Sequence, residues 1–247
     1  MFKPKTDRIK ELAEKYPKRI TELEKLFSAK TNIYIDYANV RPWANKLSWH
    51  VDIKRLKQFF DSFDNIKDVN IYSGTLLKDE ISLQFVSDTK KYGYNIKTKP
   101  VKILKLSIDV SSISKNSPDI LKNFIRKPLL SKLKIETIEY LNNELAELNK
   151  QKIYYLEDRK CNFDVEIGRD MLIDYDKNDI ETFILWSGDS DFADPVKQLI
   201  DDKKKVIIFA TTRRVSAELG ALTDNGLLIF DIQKIKNFIC WKREMDR

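Results

Sequence analysis

The chain has 247 residues, 42% hydrophobic and 34% charged, long enough for one large domain or two small ones around a real core. Two distant cysteines, Cys161 and Cys240, argue against a disulfide framework or a cysteine zinc site, and the single histidine, His50, excludes a three-histidine zinc site and paired-histidine acid–base chemistry. The net charge of +7 draws such a chain toward polyanions, either nucleic acid or an anionic membrane.

No apolar run approaches a membrane span. The charged opening MFKPKTDRIK lacks the apolar middle of a signal peptide, so a cytoplasmic, reduced protein is expected.

In chain order, residues 6–28 carry Ile9, Leu12, Tyr16, Ile20, Leu23 and Phe27 at helical spacing, with Pro17 expected to break or kink the run. NIYIDYANV (32–40) reads as a buried strand with a polar end. His50 follows in KLSWH, before an expected helix over 51–63; a serine triad would need it together with a GxSxG turn, which is absent. DVNIYSG (68–74) reads as a strand, 78–93 as a helix stopping at Gly93, and YNIKTKPVKIL (94–104) as one edge strand running through Pro100. Residues 105–158 interrupt the alternation with a polar loop and a long helix bearing Leu130, Leu133, Ile138, Leu141, Leu145 and Leu148. This is read as a helical insertion whose stripe serves a homodimer or protein partner, or packs as a satellite element. A helix over 164–175, a strand over 181–187, and a helix over 194–203 with Asp194 as its cap follow. A strand over 204–210, a helix over 213–222, a strand over 226–232, and a helix or tail over 236–247 complete the chain. Apolar strands alternating with helices define an α/β fold of three layers, α/β/α, with a mostly parallel central sheet. Residues 1–30 precede it as a helical extension.

In such a sheet ligands bind at the carboxyl ends of the strands. Asp36 ends the first strand; Asp189 and Asp191 end the strand ILW; Asp164 opens a helix that can face the same edge. Carboxylates a few ångströms apart cannot all ionise without a counter-charge, and all-oxygen ligation suits a hard divalent cation, Mg²⁺ or Mn²⁺. Such an ion activates a bound water and stabilises charge on a phosphoryl oxygen. A phosphodiester substrate thus reconciles an acidic centre with a basic chain.

The strings YIDYANV, KCNFDVEIGRD and WSGDSDFADPV, with the ending VIIFATTRRVSAELGALTDNGLLIFDI, resemble the NYN domain, a branch of the PIN-like nucleases, over roughly 31–104 and 158–235. The resemblance implies a metal-dependent ribonuclease. Carried onto this chain, Asp36, Asp164 and Asp189 are core metal ligands and Asp191 a ligand direct or through water. Asn39 is an orienting residue. Asp170 matches a further family acid, but six helical residues set it about 240° round from Asp164. Ser187 is a peripheral candidate. Tyr37 departs from the small residue common in the family. Each residue also has a structural reading: Asp36 as a strand end, Asp164 as a helix N-cap, Asp191 as a turn residue.

For RNA, Lys97 and Lys99 with the interleaved Tyr92 and Tyr94 suit phosphate neutralisation and base stacking, or else a solvated edge with tyrosines turned to the core. Lys160, Arg213 and Arg214 are further phosphate candidates. The expected activity is phosphodiester hydrolysis in RNA. The alternatives are a catalytically silent RNA-binding or regulatory module on the same fold, and a phosphatase. Ala38 speaks against the latter, since the aspartyl-phosphate class needs an aspartate there.

Overall fold

The computed structural model describes residues 1–76, 78–211 and 214–245. The first helices are α1 (Asp7–Lys15), α2 (Pro17–Leu26), α3 (Tyr37–Val40), α4 (Ala44–Leu47), α5 (Ile53–Phe60) and α6 (Glu80–Lys91). After them come α7 (Lys127–Leu130), α8 (Ile135–Lys150), α9 (Asp164–Lys177), α10 (Ala193–Asp201), α11 (Ala217–Ala221) and α12 (Lys236–Ile239). The strands are β1 (Thr31–Asp36), β2 (Ile66–Thr75), β3 (Asn95–Pro100), β4 (Lys102–Ser107), β5 (Tyr155–Lys160), β6 (Thr182–Trp186), β7 (Lys205–Ala210) and β8 (Leu228–Asp231). They fall into two compact units, 1–100 with 161–247, and 101–160.

The larger unit is the expected three-layer α/β/α fold. Its sheet has the order β3-β2-β1-β6-β7-β8, and every neighbouring pair is parallel. The runs IYI, FILW and VIIFA are buried on both faces, as parallel strands between helices must be. α9 covers the face that presents Asn32, Tyr34 and Tyr72, and α10 packs against α9 through Pro195 on Gly168. α2, α5 and α12 cover the other face, where Phe27, Phe59, Phe60, Phe63, Phe209 and Phe238 interlock. Pro17 does split the first helical run. It sits in the first turn of α2, where its missing N–H is no loss. The C-terminal segment belongs to this core as well: Phe238, Ile239 and Cys240 are buried, and Cys240 bridges to Val51. Among the described residues, no helix is long and apolar enough to cross a membrane.

Several local expectations are corrected. The polar end of the first strand, Tyr37–Val40, is a helical turn capped by Asp36. The segment 94–104 is two strands: β3 closes at Pro100, whose ring has no N–H to continue the ladder, and β4 pairs antiparallel with β5 in the smaller unit. The insertion is therefore a two-stranded ribbon with helices and is not helical throughout. Its leucine stripe packs inside the unit, with Leu130 and Ile138 buried beside Leu121 and with Leu133, Leu141 and Leu145 around them. Asn142 fixes the preceding loop by donating to the carbonyls of Lys115 and Ser117 at 2.7 and 2.8 Å. Asp194 is not the cap of α10. The 3₁₀ turn Ser190–Phe192 runs into the helix, so Asp194 lies inside its first turn.

Candidate metal centre

The pairing of β1 with β6 sets Ile35 opposite Trp186, so Asp36 and Ser187 emerge side by side at the carboxyl edge. Asp36 is 5% exposed and Ser187 fully buried. Ser187 Oγ donates to Asp36 Oδ2 at 3.3 Å, and Asn39 N–H donates to Asp36 Oδ1 at 3.2 Å. The Asn39 side chain is itself held, its Oδ1 accepting from Trp43 Nε1 at 3.2 Å. Beyond Ser187 the chain turns at Gly188. A Cβ built there would lie 1.6 Å from the Arg214 carbonyl oxygen, so only glycine admits this approach. Ser216 N–H donates to Gly188 O at 3.0 Å, closing the turn against the segment after β7. The turn delivers Asp189, whose Oδ1 accepts from Asp191 N–H at 3.3 Å, while its own N–H faces Ser187 Oγ at 3.4 Å.

Asp164 is the first residue of α9. Its side chain does not cap the helix, because Phe163 holds the cap position; Asn162 Oδ1 instead accepts the Asp164 N–H at 2.7 Å. Asp164 is the acid on which the others converge. Its pKa is pushed up to about 6, first by desolvation, then by the charge of Asp189, a carboxyl–carboxyl hydrogen bond with Asp191, and the charge of Asp36. Burial also pushes Asp36 up, with Asp189 adding to it. Among the described residues no lysine, arginine or histidine forms an ion pair with Asp36, Asp164, Asp189 or Asp191. The donor set is all oxygen and lacks a counter-charge, which is the chemistry of a hard cation site. As the side chains stand, however, no group of three or more His, Cys, Asp or Glu among the described residues is arranged to hold a metal.

Asp170 lies elsewhere. It faces the sheet, accepting from Tyr72 OH at 2.6 Å, Lys97 Nζ at 2.5 Å and Arg169 Nη2 at 3.2 Å. Burial raises its pKa, but those donors outweigh it and hold the carboxyl below its usual range. Lys97 and Lys99 are correspondingly engaged, Lys99 with Glu166 at 2.6 Å. Tyr94 is buried and donates to the Ile53 carbonyl at 2.7 Å, so it takes the core role and cannot stack on a base. Tyr92 is half-buried against the same core. Tyr37 stacks on Phe85 at 4.5 Å. Lys160 ends β5 in the smaller unit, 3.3 Å from Asp158. Arg214 packs its carbonyl on Gly188, and Arg213 lies outside the described residues. Sequence reading missed Asn162 and Gly188 as the residues that set Asp164 and Asp189; their only signal was position, immediately beside each acid.

The six-stranded parallel sheet between two helix layers is consistent with a three-layer PIN-like fold, and it sets Asp36 at its carboxyl edge. Residues 125–227 match the model of the NYN domain, a PIN-like nuclease family, which bears out the resemblance of KCNFDVEIGRD and WSGDSDFADPV, while YIDYANV lies outside the match and part of the insertion lies inside it. That stretch is somewhat less than half of the chain; it contains Asp164, Asp189 and Asp191 but not Asp36 or Asn39. A crystal structure of a protein of unknown function from Vibrio parahaemolyticus aligns with a TM-score of 0.50 at 17% identity, covering 86% of this chain and 96% of that one. At that identity the likeness concerns the fold. No curated protein matches the chain.

Proposed function

We propose that this protein is a metal-dependent ribonuclease that hydrolyses phosphodiester bonds in RNA at the rim formed by Asp36, Asp164, Asp189 and Asp191. The observation that carries the reading is the uncompensated charge: four mutually repelling carboxylates with no basic partner among the described residues. A structural acid cluster would be neutralised by the protein itself. When bound, Mg²⁺ or Mn²⁺ would supply the missing positive charge, polarise the phosphodiester and activate a water. Asp36 would be the fixed ligand, held by the Asn39 N–H and Ser187. Asp189 and Asp164 would complete the set, with Asp191 direct or through water. Ser187 and Asn39 would act by orienting Asp36. The chain's net charge of +7 suits a polyanionic substrate, and the two free cysteines suit a reducing compartment such as the cytoplasm.

The test is cleavage of a labelled, mixed-sequence single-stranded RNA with Mn²⁺, Mg²⁺ or EDTA, beside the Asp189→Asn variant. Cutting that requires metal and disappears in the variant is expected; undiminished cutting by the variant would overturn the assigned site. A second reading, a silent RNA-binding module, is favoured by one observation: no three of the acids stand ready to hold an ion. It predicts RNA retention with neither turnover nor metal uptake.

A further inference from the structure

A cavity of about 590 Å³ opens between the α1–α2 junction and the chain leaving β8. Five cations line it, Lys15, Lys18, Arg19, Lys234 and Lys236, and no acidic residue does. Its apolar wall is Tyr16 with Phe238, ring centroids 6.2 Å apart. The nearby carboxylate of Glu22 is shared: it accepts from Lys234 at 2.9 Å and pairs also with Arg19. The shared carboxylate ties the helix to the segment after β8, and Lys18, Arg19 and Lys234 against this one acid leave the groove in positive excess. Lys18 forms no ion pair among the described residues, so its charge is added to a wall already positive.

The position of this groove in the fold matters as much as its charge. Lys234 lies just beyond the carboxyl end of β8, on the sheet edge that carries Asp36 and Asp189. The order β1-β6-β7-β8 separates those acids from the groove by two or three strand spacings, about 10–15 Å. Arg214, which follows β7, lies on the same edge between them. One extended polyanion can therefore reach both places.

We propose that the groove is a second docking site for single-stranded RNA, holding the phosphates of a flank distant from the bond at the acid rim. The choice of RNA rests on the ribonuclease reading. The concave form favours a strand over a membrane, since a lipid surface needs a flat or protruding basic face and here the cations line a hollow.

The experiment measures equilibrium binding of a fluorescent 20-nucleotide mixed-sequence RNA to the full chain in EDTA, where nothing is cut, across a salt series. The proteins compared are the wild type, Lys18→Glu, and Lys18→Glu with Lys234→Glu. Loss of about two phosphate contacts in the double variant should flatten the slope of log K against log salt by about 1.4 and weaken binding about tenfold near 0.1 M salt. The single variant should show about half that change of slope, so a misfolded double variant, detected by its circular dichroism, leaves the test intact. Unchanged affinity and slope would overturn the groove even if the protein cuts RNA; the expected losses would uphold it even if the protein cuts nothing. Anionic phosphatidylserine vesicles are the remaining arm. Vesicle binding lost in the variants, with RNA binding kept, would assign the groove to a membrane and overturn the proposal.

Discussion

Replacing Gly188 by alanine tests the architecture of the acid rim more directly than removing an acid. The new methyl group would meet the Arg214 carbonyl oxygen at 1.6 Å and its carbon at 2.7 Å, both backbone atoms with no flexible end to swing aside. The turn and the segment after β7 must separate by more than an ångström. That rupture removes the Ser216 N–H to Gly188 O bond, worth about 0.5–1.5 kcal/mol, and adds overpacking strain of about 1–3 kcal/mol. A loss of about 2–4 kcal/mol lowers the midpoint of a domain this size by about 5–15 °C. The displaced turn is the one that carries Asp189, and a shift of about 1 Å at a catalytic group typically costs about a hundredfold in rate. Thermal unfolding by circular dichroism and metal-dependent cleavage should both report the change. Gly220→Ala is the control: nothing lies within 4 Å of its added methyl, and in α11 alanine should be neutral or stabilising by about 0.5–1 kcal/mol. A Gly188→Ala protein with the midpoint and cleavage rate of the wild type would refute the close-approach argument.

Two further perturbations separate the site from the scaffold. Asp170→Ala should destabilise the fold by about 2–4 kcal/mol, because it leaves Tyr72 OH and Lys97 without their shared acceptor, while the affinity of the folded protein for Mn²⁺ stays unchanged; denaturant melts and calorimetric titration check this. Since the Asp170 pKa is depressed in the fold, the stability it contributes is present above pH 4 and is lost as pH falls through its folded value. Asp164 has the opposite sign. Its folded pKa of about 6 lies above the unfolded value, so the metal-free protein should lose stability as pH rises from about 4 to 6. Asp164→Asn should therefore raise the melting temperature in EDTA at pH 7.5, raise it about half as much at pH 5, have little effect below about pH 4, and remove most of the stabilisation that Mn²⁺ gives the wild type. A lower midpoint for Asp164→Asn at pH 7.5 would mean that the acids do not repel.

The central sheet was legible because buried parallel strands are written as apolar runs, and IYID, FILW and VIIFA admit little else. The same logic failed at β5, whose sequence YLEDRK has no buried face; it becomes a strand only because β4, some fifty residues earlier, supplies its ladder. YNIKTKPVKIL read as one strand because both halves are extended, and composition does not reveal that they pair in different sheets. Helix geometry separated Asp170 from Asp164 correctly from spacing alone. What spacing cannot reveal is which lysines are already paired. Lys97 and Lys99 look like an open basic strip in the chain, and only the fold places Asp170 and Glu166 over them.

α9 makes the contrast within a single element. Glu166, Asp170 and Asp174 recur every four residues and so share one face. Each meets a donor from the sheet: Lys99, then Lys97 and Tyr72, then Tyr34 and Asn32. Those acids complete the packing of helix on sheet, and their charge is spent inside the fold. Asp164, six residues before Asp170, looks away from them and finds Asp189, Asp191 and Asp36, all of its own sign. A chain carrying 45 lysines and arginines has cations enough to neutralise this rim, yet none of those described is paired there. Balanced acids on one face and unbalanced acids at the end of the same helix are best explained if the rim's counter-charge comes from outside the protein. Because that imbalance is a property of charge alone, Mn²⁺ uptake and its competition with protons below about pH 6 should persist whether or not the protein proves able to cut RNA.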